Sequence, residues 1–493
     1  MAKKIIIVGA GPGGLTSAML LAKRGFDVEV FEKDEKVGGR NQSIEENGYK
    51  FDTGPTFLMM KFILDEVFKE AGKDVNDYLK FTNLEPMYSL LFKDKEINIS
   101  SDKKKMKAEI ARVFPGEEET LDKMLKREEK RFKSLFPCLQ KDYSNFSAFF
   151  SKDFIKSIPH FALGKSMFEE LGKYFSSDDL KLSFTFQSKY LGMSAWECPG
   201  AFMIIPFIEH NYGIYHVEGG LSEISEKMAV VAKENGAKIY LNTKIKKLLL
   251  EGKKVIGVET EDNKKHFADK IIINSDFAYS MASLVDKGVL KKYSKENLKK
   301  KKYSCSIFMI YLGVDKEYKT PHHQIVFAKD YKKNVDDIFV NLKISMDTSF
   351  YVRNASISDK TLAPKGHNAL YVLVPVANNK SNIDWDKEKK AFRDLVISSI
   401  QERTDYKDLE KHIKFEKIIT PKDWEETYNV FEGATFNLAH SLDQMLYFRP
   451  RNKFEELENL YLVGGGTHPG SGLPTIYESA RITSDLITKH FQK

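Results

Sequence analysis

The stretch KKIIIVGAGPGGLTSAMLLAKRGFDVEVFE, Lys3 to Glu32, decides the fold of this chain. Ile5 to Val8 is a β-branched run suited to a parallel strand buried on both faces. Gly9, Gly11 and Gly14 follow in G-x-G-x-x-G spacing. The first allows a tight turn, the second lets backbone approach a pyrophosphate, and the third lets a helix pack closely on the strand. The helix N-terminus beyond them offers free N–H groups and the positive end of a dipole to phosphates. Leu15, Ala18, Met19 and Ala22 share one helix face, Gly25 stops the helix, and Asp27 to Phe31 read as a second strand. Glu32 comes about 20 residues after the glycines, where a carboxylate accepts both hydroxyls of an adenosine ribose. Strand, turn, helix, strand and acid thus occur in register within one βαβ unit of about 30 residues. The acid at 32 disfavours a 2′-phosphate, and so NADP, and leaves NAD and FAD.

Working outward, Gly38, Gly39 and Arg40 form a turn just past the ribose acid, and Gly54 and Pro55 form another within FDTGPT. A glycine pair followed by arginine can bring backbone and a guanidinium to a second phosphate or to the flavin side of a long cofactor. The second anchor is C-terminal. Leu460 to Val463 is a buried-strand run, Gly464, Gly465 and Gly466 let backbone approach a ligand, and THPGSGLP leads into a helix from about Thr475. Glycine-rich strand-to-helix steps near both ends suit a cofactor too long for one βαβ unit, which favours FAD over NAD.

The length of 493 residues implies two or three folding units. An apolar content of 42% and a mean hydropathy of −0.40 describe a globular chain. The charge of +7, from 77 basic and 70 acidic residues, fits either a lysine-rich composition or a basic face towards anionic lipid; nothing points to nucleic acid. Cys138, Cys198 and Cys305 lie far apart without C-x-x-C, which predicts neither disulfides nor a metal site and fits a cytoplasmic location. No apolar run approaches the ~20 residues that span a bilayer, and Ile5 to Val8 is too short for a signal-peptide core.

The chain alternates in character. From Leu64 to Pro137 it reads as helical and charged; residues 146 to 215 are aromatic, with Phe146, Phe149, Phe150, Phe154 and Ile158 on one helical stripe and Lys152 and Lys156 between them. That stripe fits an interfacial membrane helix or an ordinary core-facing helix. Strand and glycine-turn patterns return from Glu218 to Asn274, and strands such as SIFMIYLGV and ALYVLVPVA follow. These blocks predict a discontinuous FAD-binding domain, residues 1–85, 216–281 and 415–493, and a substrate-binding, membrane-facing domain from 86–215 and 282–414.

With both ends read, the chain resembles the bacterial phytoene desaturase family of FAD-dependent carotenoid desaturases. The likeness rests on VGAGPGGL, FEK, VGGR and FDTGPT near the N-terminus, IPFIEHNYGIYHVEGGL and KKYSCSIFMIYLGVD in the middle, and TPKDWEETYN and LYLVGGGTHPGSGLPTIYESA towards the end. YVRNASISDKTLAPKG and NIDW are closest to the diapophytoene desaturase branch, whose substrates are C30 rather than C40. The resemblance implies an α/β, overall α+β, architecture: an FAD-binding Rossmann-type domain like those of glutathione reductase and the amine oxidases, with an inserted substrate-binding domain. It places dinucleotide contacts at Gly9, Gly11, Gly13, Gly14, Glu32 and Lys33, and Gly39 and Arg40 near the pyrophosphate. Gly54, Pro55, Gly464, Gly465, Gly466, Thr467, Gly472, Pro474 and Thr475 fall along the ribityl chain and flavin. Gly465 replaces an alanine common in relatives, a change expected to be harmless, and Thr475 and Ile476 also depart from many members.

The implied reaction removes two hydrogens from a CH2–CH2 unit beside a polyene, with hydride passing to flavin N5 and a proton leaving the neighbouring carbon. Allylic cation character spreads along the conjugated chain, so the protein supplies positioning and a proton acceptor. The sequence offers no Ser/His/Asp set and no metal cluster, and Glu209, His210 and Lys165 are the candidates near the reacting carbons. Competing readings are an FAD-dependent oxygenase, isomerase or saturase of an isoprenoid, an amine oxidase, and a prenyl-binding protein of the dissociation-inhibitor type. The expected partners are a hydrophobic isoprenoid and the inner face of the cell membrane; the electron acceptor, oxygen or a quinone, and the oligomeric state stay open.

Overall fold

A computed structural model describes residues 2–492, with the side chain of Tyr190 excepted. Lys4–Val8 pairs in parallel with Asp27–Phe31 on one side and Lys270–Ile273 on the other. The sheet extends to Lys238–Tyr240 beyond the former and Leu460–Leu462 beyond the latter. Ile5, Ile6 and Ile7 are fully buried, as an apolar run covered on both faces should be. Register sets Val8 opposite Phe31 and Ile273, and Ile273 opposite Leu462. The residues that follow these strands, Gly9, Glu32, Asn274 and Val463, therefore emerge along one sheet edge. Neighbours lie on both sides of the first strand, so this edge is a topological switch point, where open α/β sheets bind ligands.

Helix α1, Pro12–Lys23, opens with proline at its first turn, where no N–H donor is lost. Its residues from Gly13 to Ala22 are all buried, because it packs against the helices Ser222–Glu234 and Leu473–Gln492. The opposite sheet face is covered by the antiparallel strands Ile245–Glu251, Lys254–Thr260 and Lys265–Phe267. Leu248, Val255 and Val258 join Ile6, Val8, Ile271 and Ile273 in one core there.

A second sheet has seven strands, in the order Ile413–Ile419, Ser306–Val314, Asn368–Val376, Phe350–Asn354, His323–Val326, Tyr88–Leu91 and Glu96–Ile99. Its edge strand Ile413–Ile419 crosses the boundary placed at 414/415. The hairpin Tyr88–Leu91 and Glu96–Ile99 differs from the helical reading of 64–137. Its four-residue strands bury Tyr88, Leu90, Ile97 and Ile99 by period-two alternation, a signal swamped by the lysine-rich helices that follow.

The aromatic stripe also differs from expectation. Phe146–Phe150 is a 3₁₀ turn, Ser151 is extended and caps a new helix over Lys152–Ser157, and Ile158–His160 is 3₁₀ again. Ser151 Oγ accepts from Phe154 N–H, so local capping outcompetes continuation of one helix. Phe149 and Phe154 turn inward, their rings 4.8 Å apart and packed on Tyr143. Phe146 (56%), Phe150 (71%), Ile155 (54%), Ile158 (47%) and Leu163 (65%) stay exposed.

Candidate active site: a glycine crevice joined to an apolar cavity

The glycines at the sheet edge divide by task. A Cβ at Gly14 would lie 2.2 Å from Gly9 O, and one at Gly13 would lie 2.5 Å from Val463, so both are required for close packing. Gly11 faces the cavity with Asn274 behind it, and Asn274 Nδ2 donates to Gly9 O at 3.1 Å. Glu32 accepts from Ala10 N–H (2.7 Å) and Asp34 N–H (3.1 Å), which fixes its carboxylate at the end of the second strand. Burial pushes its pKa up, and those two N–H bonds oppose the rise. Lys33 donates to Asp34 and to Thr427 O.

Gly39 takes a left-handed conformation (φ 53°), as its turn requires. A Cβ at Gly54 would lie 2.1 Å from Arg40 O, so the two turns are locked face to face. Arg40 donates to Thr435 O at 2.6 Å. Burial lowers its pKa, while the carboxylate of Asp276 favours its charge. Asn437 joins the two, donating to Asp276 Oδ2 (2.8 Å) and accepting from Arg40 (3.2 Å). A Cβ at Gly465 would come within 2.7 Å of that amide and 2.9 Å of Ser471 Oγ, so glycine at 465 fits this chain's own Asn437.

One cavity of about 550 Å³ is bounded at this end by Gly9, Gly11, Gly13, Glu32, Lys33, Gly39, Arg40, Gly54, Pro55, Gly464, Gly465, Gly472, Pro474 and Thr475. Gly14, Gly466 and Thr467 are not on its wall. Gly466 backs onto Phe277, and Thr467 is buried with its carbonyl bonded to Arg449. The Thr475 hydroxyl donates within its own loop, nearest to Ser471 O at 2.8 Å. Thr243, Lys244, Ile245, Ser275 and Asp276 also line the crevice without having been singled out in the sequence. The signal for them is topological, since each follows a strand or precedes one at the shared sheet edge.

The same cavity continues into an apolar arm walled by Phe132, Leu135 and Phe136, by Phe202 and by Ile205 and Ile208, reaching Phe161, Leu442 and Leu446 beside the exposed aromatic patch. Glu209 and His210 share the helix Ile204–Tyr212 with this wall but lie off it. Glu209 accepts from Gln187 Nε2 (2.6 Å) and Tyr88 OH (2.9 Å), and burial pushes its pKa up to about 7. His210 Nδ1 bonds Ser100 O at 2.9 Å, and burial pushes its pKa down to about 4. Lys165 is exposed on the surface. Two of these partners, Tyr88 and Ser100, lie on or beside the 88–99 hairpin and the third, Gln187, in the turn Phe186–Leu191, all distant in sequence from the helix, which explains why sequence reasoning left both side chains without a structural occupation. Polar side chains on the cavity wall beyond the glycine crevice include Thr56, Tyr351, Tyr371, His440 and Glu478. Tyr371 OH donates to Gly54 O, Tyr351 OH meets His323 Nδ1 at 2.6 Å, and His440 Nε2 accepts from Ser471 N–H. Trp424 and Tyr428 of the TPKDWEETYN motif line the junction of the two arms.

These residues fit FAD: crowded glycines at a helix N-terminus suit a diphosphate, Glu32 a ribose, and a glycine loop leading into Leu473–Gln492 a flavin. The flavin-containing amine oxidoreductase family matches residues 12–488. The 4,4′-diapophytoene desaturase (4,4′-diapolycopene-forming) of a Methylomonas species is 53% identical over 99% of this chain and 95% of its own. The all-trans-zeta-carotene desaturase of Myxococcus xanthus is 34% identical over 100% of this chain and 94% of its own. Among solved structures, an oxidoreductase from Methanosarcina mazei superposes with a TM-score of 0.67 at 17% identity, over 99% of this chain and 100% of that one. The chain belongs to the flavin-containing amine oxidoreductases and, within them, to the FAD-dependent carotenoid desaturases.

Proposed function

We propose that the protein desaturates a C30 isoprenoid, 4,4′-diapophytoene, drawn from the inner face of the cell membrane. The observation that carries this reading is one continuous cavity, polar and glycine-lined at the FAD end and apolar at the other, whose apolar arm ends beside exposed Phe146, Phe150 and Leu163. The Methylomonas relative supports the C30 assignment. Residues 1–85, 216–281 and 415–493 act as the FAD unit, and the remainder forms the substrate arm and its mouth. Among the described residues no helix is long and apolar enough to cross a membrane, so lipid contact falls to that mouth.

Gly11, Gly13, Glu32, Arg40, Gly464 and Gly465 hold FAD, which supplies a two-electron acceptor for hydride. Phe132, Leu135, Phe136, Ile205 and Ile208 orient the hydrocarbon and exclude water, so that a developing carbocation meets no nucleophile. Tyr351 is the arm residue whose hydroxyl is bonded to a titratable base. As the carbon next to the hydride donor loses its proton to Tyr351 Oη, the phenolic proton moves to His323 Nδ1. Burial beside His322 and Arg353 holds His323 well below the usual imidazole pKa. A weak base suffices, because a proton beside an allylic cation is strongly acidic.

The test is product analysis in cells that make only C30 or only C40 phytoene. Desaturated C30 product is expected from the wild type, and Tyr351→Phe should lower turnover by about 10²–10⁴-fold with FAD content unchanged. Exclusive action on the C40 substrate would overturn the C30 assignment, and full activity of Tyr351→Phe would overturn the proton path.

A further inference from the structure

The cations around the crevice answer to carboxylates. Lys33 lies 2.9 Å from Asp34, Lys244 lies 2.6 Å from Glu261, and Arg40 faces Asp276. Arg449 differs. Its side chain is fully buried, and its guanidinium donates only to backbone carbonyls: Gly465 O at 2.6 Å, Thr467 O at 3.2 Å, and Gln444 O and Leu438 O at 3.3 Å. Among the described residues no carboxylate forms an ion pair with it. The neighbouring rings of His440 and His468 are kept neutral by burial, with the Arg449 charge adding to the effect. Hydrogen bonds to carbonyls satisfy the donors and leave the charge unbalanced, and a buried charge without a counter-ion is costly. Burial lowers its pKa only to about 9, so the group is cationic at neutral pH.

The carbonyl at the shortest of these bonds belongs to Gly465, on the cavity wall. Arg449 thus stands one peptide unit behind the surface that faces the cofactor. The α1 N-terminus and Arg40 are the groups that would meet the diphosphate. We propose that the missing counter-ion is the flavin ring in its reduced form, and that Arg449, acting through the Gly464–Gly466 backbone as a positioning residue, favours reduction of bound FAD. The inference rests on FAD lying against this loop. A hydride brings two electrons and one proton, so the ring that accepts it gains one negative charge. A fixed cation in a water-poor site stabilises that anion over the neutral oxidised ring.

The test is the two-electron midpoint potential of the FAD-bound full chain, measured anaerobically against a redox dye for wild type, R449K and R449Q, with FAD affinity in parallel. R449Q is expected to shift the reduced-to-oxidised ratio about tenfold towards oxidised, or about 30 mV more negative, and R449K to stay near wild type. A purely structural staple predicts that lysine and glutamine fail alike without a change in potential, and that result overturns the proposal. Weaker FAD binding by R449Q at unchanged potential assigns the charge to the diphosphate and also overturns it. If R449Q does not retain FAD, the wild type still decides: its reduced flavin should stay anionic at least one pH unit below the point where free reduced FAD takes up its proton. Protonation at the same pH as the free cofactor refutes the charge effect. The potential is read without substrate, so failure here leaves the desaturase assignment standing, whereas a chain that binds no flavin would sink that assignment itself.

Discussion

Glu32 carries more at the residue scale than its position in a motif. Its carboxylate already accepts two backbone N–H groups, so it is aimed before any ribose arrives. Glu32→Ala should weaken FAD binding by about 1.5–3 kcal/mol, the range for hydrogen bonds to a charged group, or roughly ten- to a hundredfold. Gly11→Val should abolish binding by a different route, since even a Cβ at 11 meets Asn274 Nδ2 at 2.9 Å. Equilibrium dialysis with limiting FAD separates these outcomes, and stoichiometric retention by both variants would refute the site. The pH response follows from the raised pKa of Glu32. A raised carboxyl pKa means that the apo fold takes up its proton above the unfolded value, so ionised Glu32 costs apo stability at neutral pH and that cost is relieved as pH falls through the folded pKa. FAD affinity runs the other way, because the protonated acid loses acceptor strength. Titration of FAD release should therefore show a midpoint above the ordinary glutamate value, and Glu32→Gln should remove that dependence. Gly465 belongs to the same scale. The sequence comparison with alanine-bearing relatives makes it look neutral, but Gly465→Ala should displace Asn437 and loosen the Arg40–Asp276 contact.

The elements divide between those governed by local pattern and those governed by distant partners. Lys3 to Glu32 was legible because every part of it, apolar run, glycine turn, helix face and stop, is encoded within a single βαβ unit. The 88–99 hairpin was not, since its strands are four residues long and it joins the sheet only where Tyr88–Leu91 pairs in parallel with His323–Val326, far away in the chain. Glu209 and His210 looked catalytic for a related reason: Tyr88 and Ser100 reach them from that hairpin region, and Gln187 reaches Glu209 from the aromatic segment. The aromatic segment shows a third case, in which apolar spacing suggested one helix while Ser151 capping divides it. The division changes which side chains can meet lipid. Phe149 is turned inward, and Phe146, Phe150, Ile155, Ile158 and Leu163 form the exposed set beside Lys152 and Lys156. Flotation with anionic vesicles should fall for Phe146→Ser/Phe150→Ser with FAD content intact. Lys152→Glu/Lys156→Glu should weaken flotation by about 1 kcal/mol per lysine, a loss that high salt imitates in the wild type. Unchanged flotation of both folded variants would place the membrane contact elsewhere.

At the scale of the whole molecule, the FAD crevice is assembled from three separated parts of the chain. Val8 and Phe31 end strands from the first part, Ile273 ends one from the second, and Leu462 ends one from the third. Asn274 donates to Gly9 O and occupies the space that a Cβ at Gly11, Gly13 or Gly14 would need, and Asn437 ties Arg40 to Asp276, so polar contacts join the parts where no single segment could form a site. FAD bound across this junction would add contacts to all three parts together. Ligand binding to the folded state alone stabilises it by RT ln(1 + [L]/Kd), about 2.7 kcal/mol at a hundredfold excess over Kd. Amide hydrogen exchange on protein with and without FAD should therefore show slowed exchange concentrated in three stretches, residues 9–40, 243–276 and 464–476. The seven-stranded sheet should change much less, because its strands lie outside the crevice apart from Ile307, Tyr351, Tyr371 and Leu373. A response confined to 9–40 would mean that the N-terminal unit binds the cofactor alone and that the C-terminal glycine loop is only a packing element. Protection of the first and last stretches without the middle one would detach Asn274 and Asp276 from the site. Coordinated protection of all three would make the discontinuous FAD unit a thermodynamic entity, bound together by its ligand as well as by its sheet.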